Sequence, residues 1–249
     1  MRLISIEWKR WLRSKNLFLL VFLFIFSGLT SPLLSFYSND IIKSMVSDGQ
    51  TPLILPPPTW QSLFISYFKN TAQLSLFVAL FLVCKMVTIR STDALHHFYM
   101  TRTKSLLRLF VPKILVSSSV VSLASLCGQL MCSYMSWVFF DTINWENVIV
   151  SFILQWFVML VIVLAIACLI QYLNSAFLVA LIIEVLLFVS TISSQFSWEK
   201  YLPSQLLYQT KLINKTISLN DVPSLLSCLL IIILSLIGFM LLKRFPRLL

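Results

Sequence analysis

The chain has 249 residues, of which 59% are hydrophobic and only 11% are charged, and its mean hydropathy is +0.91. Soluble proteins are about half apolar and a quarter charged, so this composition excludes a water-soluble globular domain as well as intrinsic disorder. The net charge of +10 comes from nineteen basic and nine acidic residues, an excess that reports first on membrane orientation. We therefore expect an all-α integral membrane protein whose surroundings are lipid, with no nucleic-acid partner.

The first predicted element is an amphipathic helix over residues 2–14. At 100° per residue its apolar side chains, with Trp8 and Trp11, share one face, whereas its basic side chains, with Arg10 and Arg13, lie opposite. A helix of this kind lies in the inner headgroup layer, with its apolar face down toward the lipid and its bases toward anionic headgroups. The alternative is a basic topogenic tail whose periodicity is accidental.

Six apolar runs are long enough to cross a bilayer, which takes about 20 helical residues. In chain order they are roughly Leu17–Phe36, Ser66–Ile89, Leu106–Phe139, Val148–Gln171, Ala176–Ser193 and Pro223–Leu242. The third run is long for one crossing, so we expect it to begin in the cytosol, to tilt, or to be irregular near Pro112 or Gly128. Only residues 172–175 join the fourth and fifth runs, which predicts a tight antiparallel hairpin.

The distribution of basic residues predicts that both termini face the cytoplasm. In this orientation the inner segments hold thirteen Lys and Arg residues, the outer segments hold five, and Lys85 lies within the second run. Six of the nine acidic residues fall on the outer side. This asymmetry is the one that membrane proteins show, because their cytoplasmic loops carry the excess of Lys and Arg.

Residues 90–105, between the second and third runs, form the most informative cytoplasmic segment. Asp93 suits the first turn of a short helix in this segment. An apolar ridge at the i, i+3, i+4 spacing follows, formed by Leu95, Phe98 and Tyr99. Such a ridge on a cytosolic segment is a candidate docking surface, and the alternative is a segment that folds back onto the inner lipid surface.

Neither a catalytic site nor a metal site is predicted. The sequence contains no phosphate-binding Gly-x-x-x-x-Gly-Lys-Ser/Thr loop, no His-Glu-x-x-His motif and no Gly-x-Ser-x-Gly motif. The neighbours His96 and His97 would point about 100° apart on a helix, so they suit a shared metal ion poorly. We therefore expect no enzyme activity and no cofactor in this chain.

Three residues form a candidate substrate pathway inside the membrane. Glu184 lies about eight residues into the fifth run, roughly 12 Å along the helix and hence near mid-bilayer. A carboxylate at this depth is protonated, paired or next to water, and both structural hydrogen bonding and a role in substrate or proton handling are open. Gln155 and Trp156 are further polar groups at depth. Residues 37–65 predict an outer loop, and residues 194–222 predict an outer amphipathic stretch that is interfacial or re-entrant and caps the outer mouth of the bundle.

This layout resembles that of the type-2 ABC export permeases over essentially the whole chain. The shared features are the amphipathic N-terminal helix, six spans with both ends inside, the cytosolic segment after the second span and the amphipathic outer stretch. Met100–Lys104, followed by Lys113, is similar to the family's Thr-Pro-x-Ser-Arg-like motif and the Lys near the start of span three. Trp60-Gln61, followed by Tyr67–Asn70, is similar to small Gram-positive members.

The chain also departs from that family pattern before and within the motif. Arg90 and the pair Ser91-Thr92 stand where the family usually has an acid and a Gly-Thr pair. Arg102 stands in the place of the usual proline. The contacts that these positions make with an ATPase would therefore differ from those of typical members.

The resemblance implies a permease subunit of a bacterial cytoplasmic membrane that works with separate cytoplasmic ABC ATPase subunits, which hold ATP and Mg²⁺. Residues 90–105 would be the coupling segment, with Ser91–Lys104 as the coupling helix. Its candidate contact residues are Asp93, Leu95, His96, Phe98, Tyr99, Arg102 and Lys104. A second permease subunit, identical or homologous, would complete a pathway for an amphipathic or hydrophobic substrate. Small Gram-positive members often export, or give immunity to, peptides and antibiotics. Two alternatives are a secondary transporter with Glu184 as its proton carrier and a non-transporting scaffold or sensor subunit.

Overall fold

The computed structural model describes residues 2–45, 56–88, 107–173, 175–192, 201–208, 213 and 222–244. Within these residues the structure is helical and contains no β-strand, which confirms the predicted all-α class. The helices are Arg2–Arg13 (α1), Asn16–Phe36 (α2), Ser38–Met45 (α3), Trp60–Asn70 (α4), Leu76–Val87 (α5), Leu107–Phe139 (α6), Trp145–Leu173 (α7), Ala176–Ile192 (α8), Ser204–Tyr208 (α9) and Val222–Arg244 (α10).

Within the described ranges, five helical stretches are long and apolar enough to cross a membrane. They are Asn16–Phe36, Trp60–Val87, Leu109–Phe139, Trp145–Leu173 and Pro223–Met240. The predicted fifth span corresponds to α8, which is apolar but has 17 residues, about 26 Å at 1.5 Å per residue. The hydrocarbon core is about 30 Å thick, and residues 193–200 lie outside the described ranges. The described helices therefore indicate a membrane-embedded multi-pass protein with five apolar candidate spans, and the sixth span and the orientation stay predictions.

The segment predicted to be an outer loop, residues 37–65, is partly helical. Ser38–Met45 forms α3, and α4 already begins at Trp60. The early start follows from a capping box, in which the Thr59 hydroxyl accepts a hydrogen bond from the Ser62 backbone N–H, and the Ser62 hydroxyl accepts one from the Thr59 N–H. The predicted loop boundary was wrong because it followed hydropathy alone, and the first turns of α4 are less apolar than the rest of the span.

The second span also contains a π-helical segment that hydropathy does not predict. Thr71–Ser75 forms this segment between α4 and α5, so the span runs from Trp60 to Val87 with one local widening. Short π segments inside α-helices are frequently found at functional sites. Within this one, Thr71 and Ser75 are buried, and the Thr71 hydroxyl pairs with the Ser27 hydroxyl of α2 at 3.1 Å.

Helices α2 and α6 form the most extensive helix pair of the bundle. Gly28 faces Gly128 where they cross, and a Cβ atom at Gly28 would overlap the Gly128 carbonyl oxygen. A Cβ atom at Gly128 would lie 2.8 Å from the carbonyl oxygen of Phe24. The two glycines allow the backbones to approach closely, as small residues do between membrane helices. Gly128 is thus a packing contact in a helix that runs without interruption from Leu107 to Phe139.

Candidate functional site

The predicted coupling segment, residues 90–105, lies outside the residues that the structure describes. Its candidate docking residues are therefore not placed, namely Asp93, Leu95, His96, Phe98, Tyr99, Arg102 and Lys104. The structure does describe the two helices that flank this segment. Helix α5 ends at Val87 and helix α6 begins at Leu107, and α1 lies against α6 and α2.

Helix α1 is packed onto the bundle by its two tryptophans. Trp11 is only 1% exposed and belongs to the hydrophobic core, and Trp8 packs against the same core. The sequence placed both side chains on a face toward lipid, whereas the structure gives Trp11 a protein environment. The reason is tertiary, because α2 and α6 offer an apolar surface that the helical wheel of α1 cannot reveal. Arg13, in the last turn, is exposed.

A polar cluster joins α1 to the ends of α5 and α6. The Glu7 carboxylate lies 3.5 Å from Lys113 Nζ and 3.6 Å from Arg10 Nη1. Lys113 Nζ and Arg10 Nη1 both donate a hydrogen bond to the Met86 carbonyl oxygen, each at 3.3 Å. We call these four residues the elbow clamp. Lys113 is 4% exposed and Glu7 is 13% exposed, so the carboxylate and the ammonium group are both largely removed from solvent.

The position of the Met86 carbonyl explains why two cations converge on it. It lies in the last turn of α5, where carbonyl groups have no N–H partner within the helix. Positive charge at a helix C-terminus also interacts favourably with the helix dipole. Arg10 and Lys113 satisfy this carbonyl, and Glu7 balances their charge. The elbow clamp therefore fixes the end of α5, the beginning of α6 and the N-terminal helix relative to one another.

Sequence reasoning identified Arg10 and Lys113 as bases on the inner side but missed Glu7. A signal was present, because Glu7 is the only acidic residue before Asp40 and is surrounded by bases. A single acidic side chain in a basic amphipathic helix is expected to form an ion pair, either with a basic residue of the same helix or with one of a neighbouring helix. The identity of the second partner, Lys113, depends on the packing of α1 against α6, which spacing along the chain does not give.

Two of the predicted pathway residues lie side by side on α7. Gln155 is fully buried, and its Oε1 accepts a hydrogen bond from Gln129 Nε2 of α6 at 3.4 Å. Gln129 Nε2 also approaches the Phe152 carbonyl oxygen at 3.3 Å. Trp156 is partly exposed, and its indole N–H donates to the Ser122 hydroxyl at 2.9 Å. These contacts tie α6 and α7 together inside the membrane.

A groove of about 380 Å³ runs along this α6–α7 contact. Gln129, Phe152 and Trp156 contribute to its lining, and the remaining lining is almost entirely apolar. Aromatic rings lie behind it, because the Phe152 ring contacts the rings of Phe64 and Phe68 at centroid distances of 5.8 and 5.7 Å. An apolar groove with a few polar groups is suited to a lipid-soluble molecule.

Glu184, the third predicted pathway residue, does not line this groove. Its side chain on α8 is partly buried, and its Oε2 atom is buried with no hydrogen-bond partner among the described residues. Glu184 interacts electrostatically with Tyr208 of α9. The pKa of the Tyr208 hydroxyl is raised to about 12 by burial and, to a lesser degree, by the charge of Glu184. The structure therefore separates the three predicted pathway residues. Trp156 lines the groove, Gln155 is buried against Gln129, which also lines it, and Glu184 lies in a second polar region on α8.

Sequence reasoning placed Tyr208 in an amphipathic outer stretch and did not associate it with Glu184. The two residues are 24 positions apart, and the intervening residues 193–200 carry no helical pattern that would fix their relative placement. Comparison of the chain with protein-family models, curated proteins and solved structures gives no match.

Proposed function

We propose that this chain is the membrane-spanning permease subunit of an ATP-driven exporter of the type-2 ABC kind. Its substrate is an amphipathic or hydrophobic molecule, of which a peptide or an antibiotic is an example. Five apolar helices long enough to cross a membrane support a place in the bilayer. The sequence contains no phosphate-binding loop, so ATP and Mg²⁺ are held by separate cytoplasmic ATPase subunits.

The elbow clamp is the observation that carries this proposal. It ties α1 to the end of α5 and to the beginning of α6, which are the two points between which residues 90–105 connect. A partner that docks on residues 90–105 and moves them would act on both helix ends. The elbow clamp would transmit that displacement to α1, because the largely buried Glu7 and Lys113 side chains form an ion pair between α1 and α6.

The expected partners follow from this mechanism. An ABC ATPase subunit binds residues 90–105 from the cytoplasm, and its closure on ATP rocks the span ends together with α1. A second permease subunit, the same chain or a homologue, encloses the pathway. The groove between α6 and α7 offers an apolar surface that such a substrate could contact from the lipid side. The location of such an assembly is the bacterial cytoplasmic membrane.

Co-purification tests the proposal. The tagged chain is extracted from its native host in mild detergent, and the bound proteins are identified by mass spectrometry. An ABC ATPase is expected with the wild type, and it should be lost with Leu95→Asp and Phe98→Asp, because a charge on the apolar ridge opposes docking. Thr142→Asp, an exposed position between α6 and α7, is the matched control and should retain the ATPase. Absence of an ATPase from the wild-type complex, or its full retention by both ridge variants, would contradict the proposal.

A second candidate function is supported by Glu184. A secondary transporter needs a membrane carboxylate that takes up and releases a proton, and the Glu184 Oε2 atom has no hydrogen-bond partner among the described residues. This function requires transport that depends on the proton gradient and is lost with Glu184→Gln. Transport that tracks ATP and survives a proton ionophore would favour the ABC permease instead.

A further inference from the structure

Three buried oxygen atoms in and next to α9 have no hydrogen-bond partner among the described residues. They are Glu184 Oε2, Gln205 Oε1 and the Tyr208 hydroxyl oxygen. Polar atoms removed from solvent are nearly always paired, since leaving one unpaired is unfavourable. Eight such atoms occur in the described part of the chain, and these three are carried by two helices that contact each other, which makes this region a candidate for a shared binding partner.

The three side chains belong to two elements that are in contact. Helix α9, which carries Gln205 and Tyr208, packs against α8, which carries Glu184. Gln205 and Tyr208 are three residues apart, so they lie on neighbouring positions of the same helical face. Tyr208 is 7% exposed, and the pKa of its hydroxyl is raised by burial and, to a lesser degree, by the charge of Glu184, so the two groups lie within electrostatic reach of each other.

The chemistry of the cluster selects its ligand. Glu184 and Gln205 present oxygen acceptors, and the Tyr208 hydroxyl accepts as well as donates. A group that satisfies all three must offer several hydrogens and should carry a positive charge to match the carboxylate, which describes a primary ammonium group. No basic side chain fills this role in the described part of the chain, where both ion pairs involve Glu7.

The cluster is open to the membrane on one side. Glu184 is only partly buried, and Leu181 and Phe188, at i−3 and i+4 on the same face of α8, are 38% and 54% exposed. A hydrocarbon chain could lie along these two side chains while its polar end reaches Glu184. A small inorganic cation would make no contact with this apolar surface.

We propose that Glu184, Gln205 and Tyr208 form an intramembrane binding site for the primary ammonium group of an amphipathic cation, whose hydrocarbon chain lies along Leu181 and Phe188. As an assignment of the exported substrate, this inference rests on the proposed function. As a binding site, it is independent of any ATPase and is tested on the isolated chain.

The experiment uses the full chain in lipid nanodiscs of phosphatidylcholine, with dodecylammonium as the probe and dodecanol as its neutral match. Thermal unfolding is followed with a thiol-reactive fluorophore, because four of the five cysteines are buried and react only on unfolding. A ligand that binds the folded state raises the unfolding temperature with concentration. Partition of the probes into the lipid is the same for all variants, so it cancels in the comparison.

The wild type should be stabilised by dodecylammonium and not by dodecanol. Glu184→Gln should weaken the apparent affinity about ten- to hundredfold, because a charge-assisted hydrogen bond is lost. Tyr208→Phe, which removes one hydroxyl, should weaken it about two- to tenfold. Glu146→Gln, at an exposed carboxylate on α7, should bind as the wild type does.

Equal stabilisation by dodecylammonium and dodecanol would overturn the proposal, as would full binding by both Glu184→Gln and Tyr208→Phe. Absence of any stabilisation by dodecylammonium would also overturn it, since the unpaired oxygens would then be left to water. None of these results bears on whether an ATPase co-purifies with the chain, so this site and the ABC permease assignment fail separately.

Discussion

Replacing Glu7 by glutamine tests the elbow clamp directly. The substitution keeps the shape of the side chain but removes the charge that faces Lys113 Nζ at 3.5 Å and Arg10 Nη1 at 3.6 Å. Two cations then share the Met86 carbonyl oxygen with no anion beside them. We expect Glu7→Gln to destabilise the folded chain and to loosen α1.

The expected cost follows from the burial of the pair. Removing one partner of a buried ion pair costs about 3–5 kcal/mol, because the other charge is left uncompensated. The lower value, about 3 kcal/mol, applies here because Glu7 is 13% exposed and Lys113 keeps its hydrogen bond to Met86. In a chain of this size each kcal/mol shifts the unfolding temperature by about 2–4 °C, so we expect a decrease of about 6–12 °C.

The assay is the thermal unfolding of the purified chain followed by cysteine exposure, with Glu146→Gln as the control for loss of an exposed carboxylate. A double variant, Glu7→Gln with Lys113→Met, removes both charges and should recover most of the loss, to within about 1 kcal/mol of the wild type. An unfolding temperature of Glu7→Gln equal to that of the wild type would refute the clamp. A double variant no more stable than Glu7→Gln would refute the electrostatic account of it.

Three further predictions concern packing inside the bundle. Gly28→Ala should lower the free energy of unfolding by about 1–3 kcal/mol, because its Cβ would meet a backbone carbonyl of α6. Gly238→Ala should lower it less, because the atom that its Cβ would meet belongs to a cysteine side chain, and thermal unfolding of both variants checks this. Gln155→Leu should change stability by less than about 1 kcal/mol, because Gln129 Nε2 keeps its hydrogen bond to the Phe152 carbonyl oxygen and because Gln155 Nε2, which is lost, is buried without a partner. A double-mutant cycle with Gln129→Leu measures the coupling of the two side chains. Trp11→Ala should cost about 3–5 kcal/mol and make α1 sensitive to protease, and an α1 that stays resistant would contradict the packing described.

The helices inside the membrane follow closely from the sequence. The first predicted span, Leu17–Phe36, differs by one residue from Asn16–Phe36, and Leu106–Phe139 likewise differs by one residue from Leu107–Phe139. Continuous apolar runs of this length leave few other structures for the backbone, since every N–H and carbonyl group in lipid must be paired internally. Hydropathy therefore locates the first and third of these helices closely, whereas it missed the more polar first turns of the second, which begins at Trp60 instead of the predicted Ser66.

Contacts between helices do not follow in the same way. Trp11 was assigned to lipid because a helical wheel separates apolar from polar faces but does not distinguish lipid from a neighbouring helix. The pairing of Gln129 with Gln155 depends on the register of α6 against α7, and the meeting of Glu184 with Tyr208 depends on where α9 packs. These arrangements depend on tertiary structure, which residue type and spacing do not specify.

The most direct measurement of the central claim is a photo-crosslink from the predicted coupling segment in living cells. A photoreactive phenylalanine analogue replaces Phe98, and Thr142 carries the same group as the control. We expect Phe98 to crosslink to a cytoplasmic ABC ATPase, whereas Thr142, which the predicted orientation places on the outer side, should give no such crosslink. Crosslinks from Phe98 to lipid or to extracytoplasmic proteins, with no ATPase captured while the chain remains active in transport, would contradict this claim.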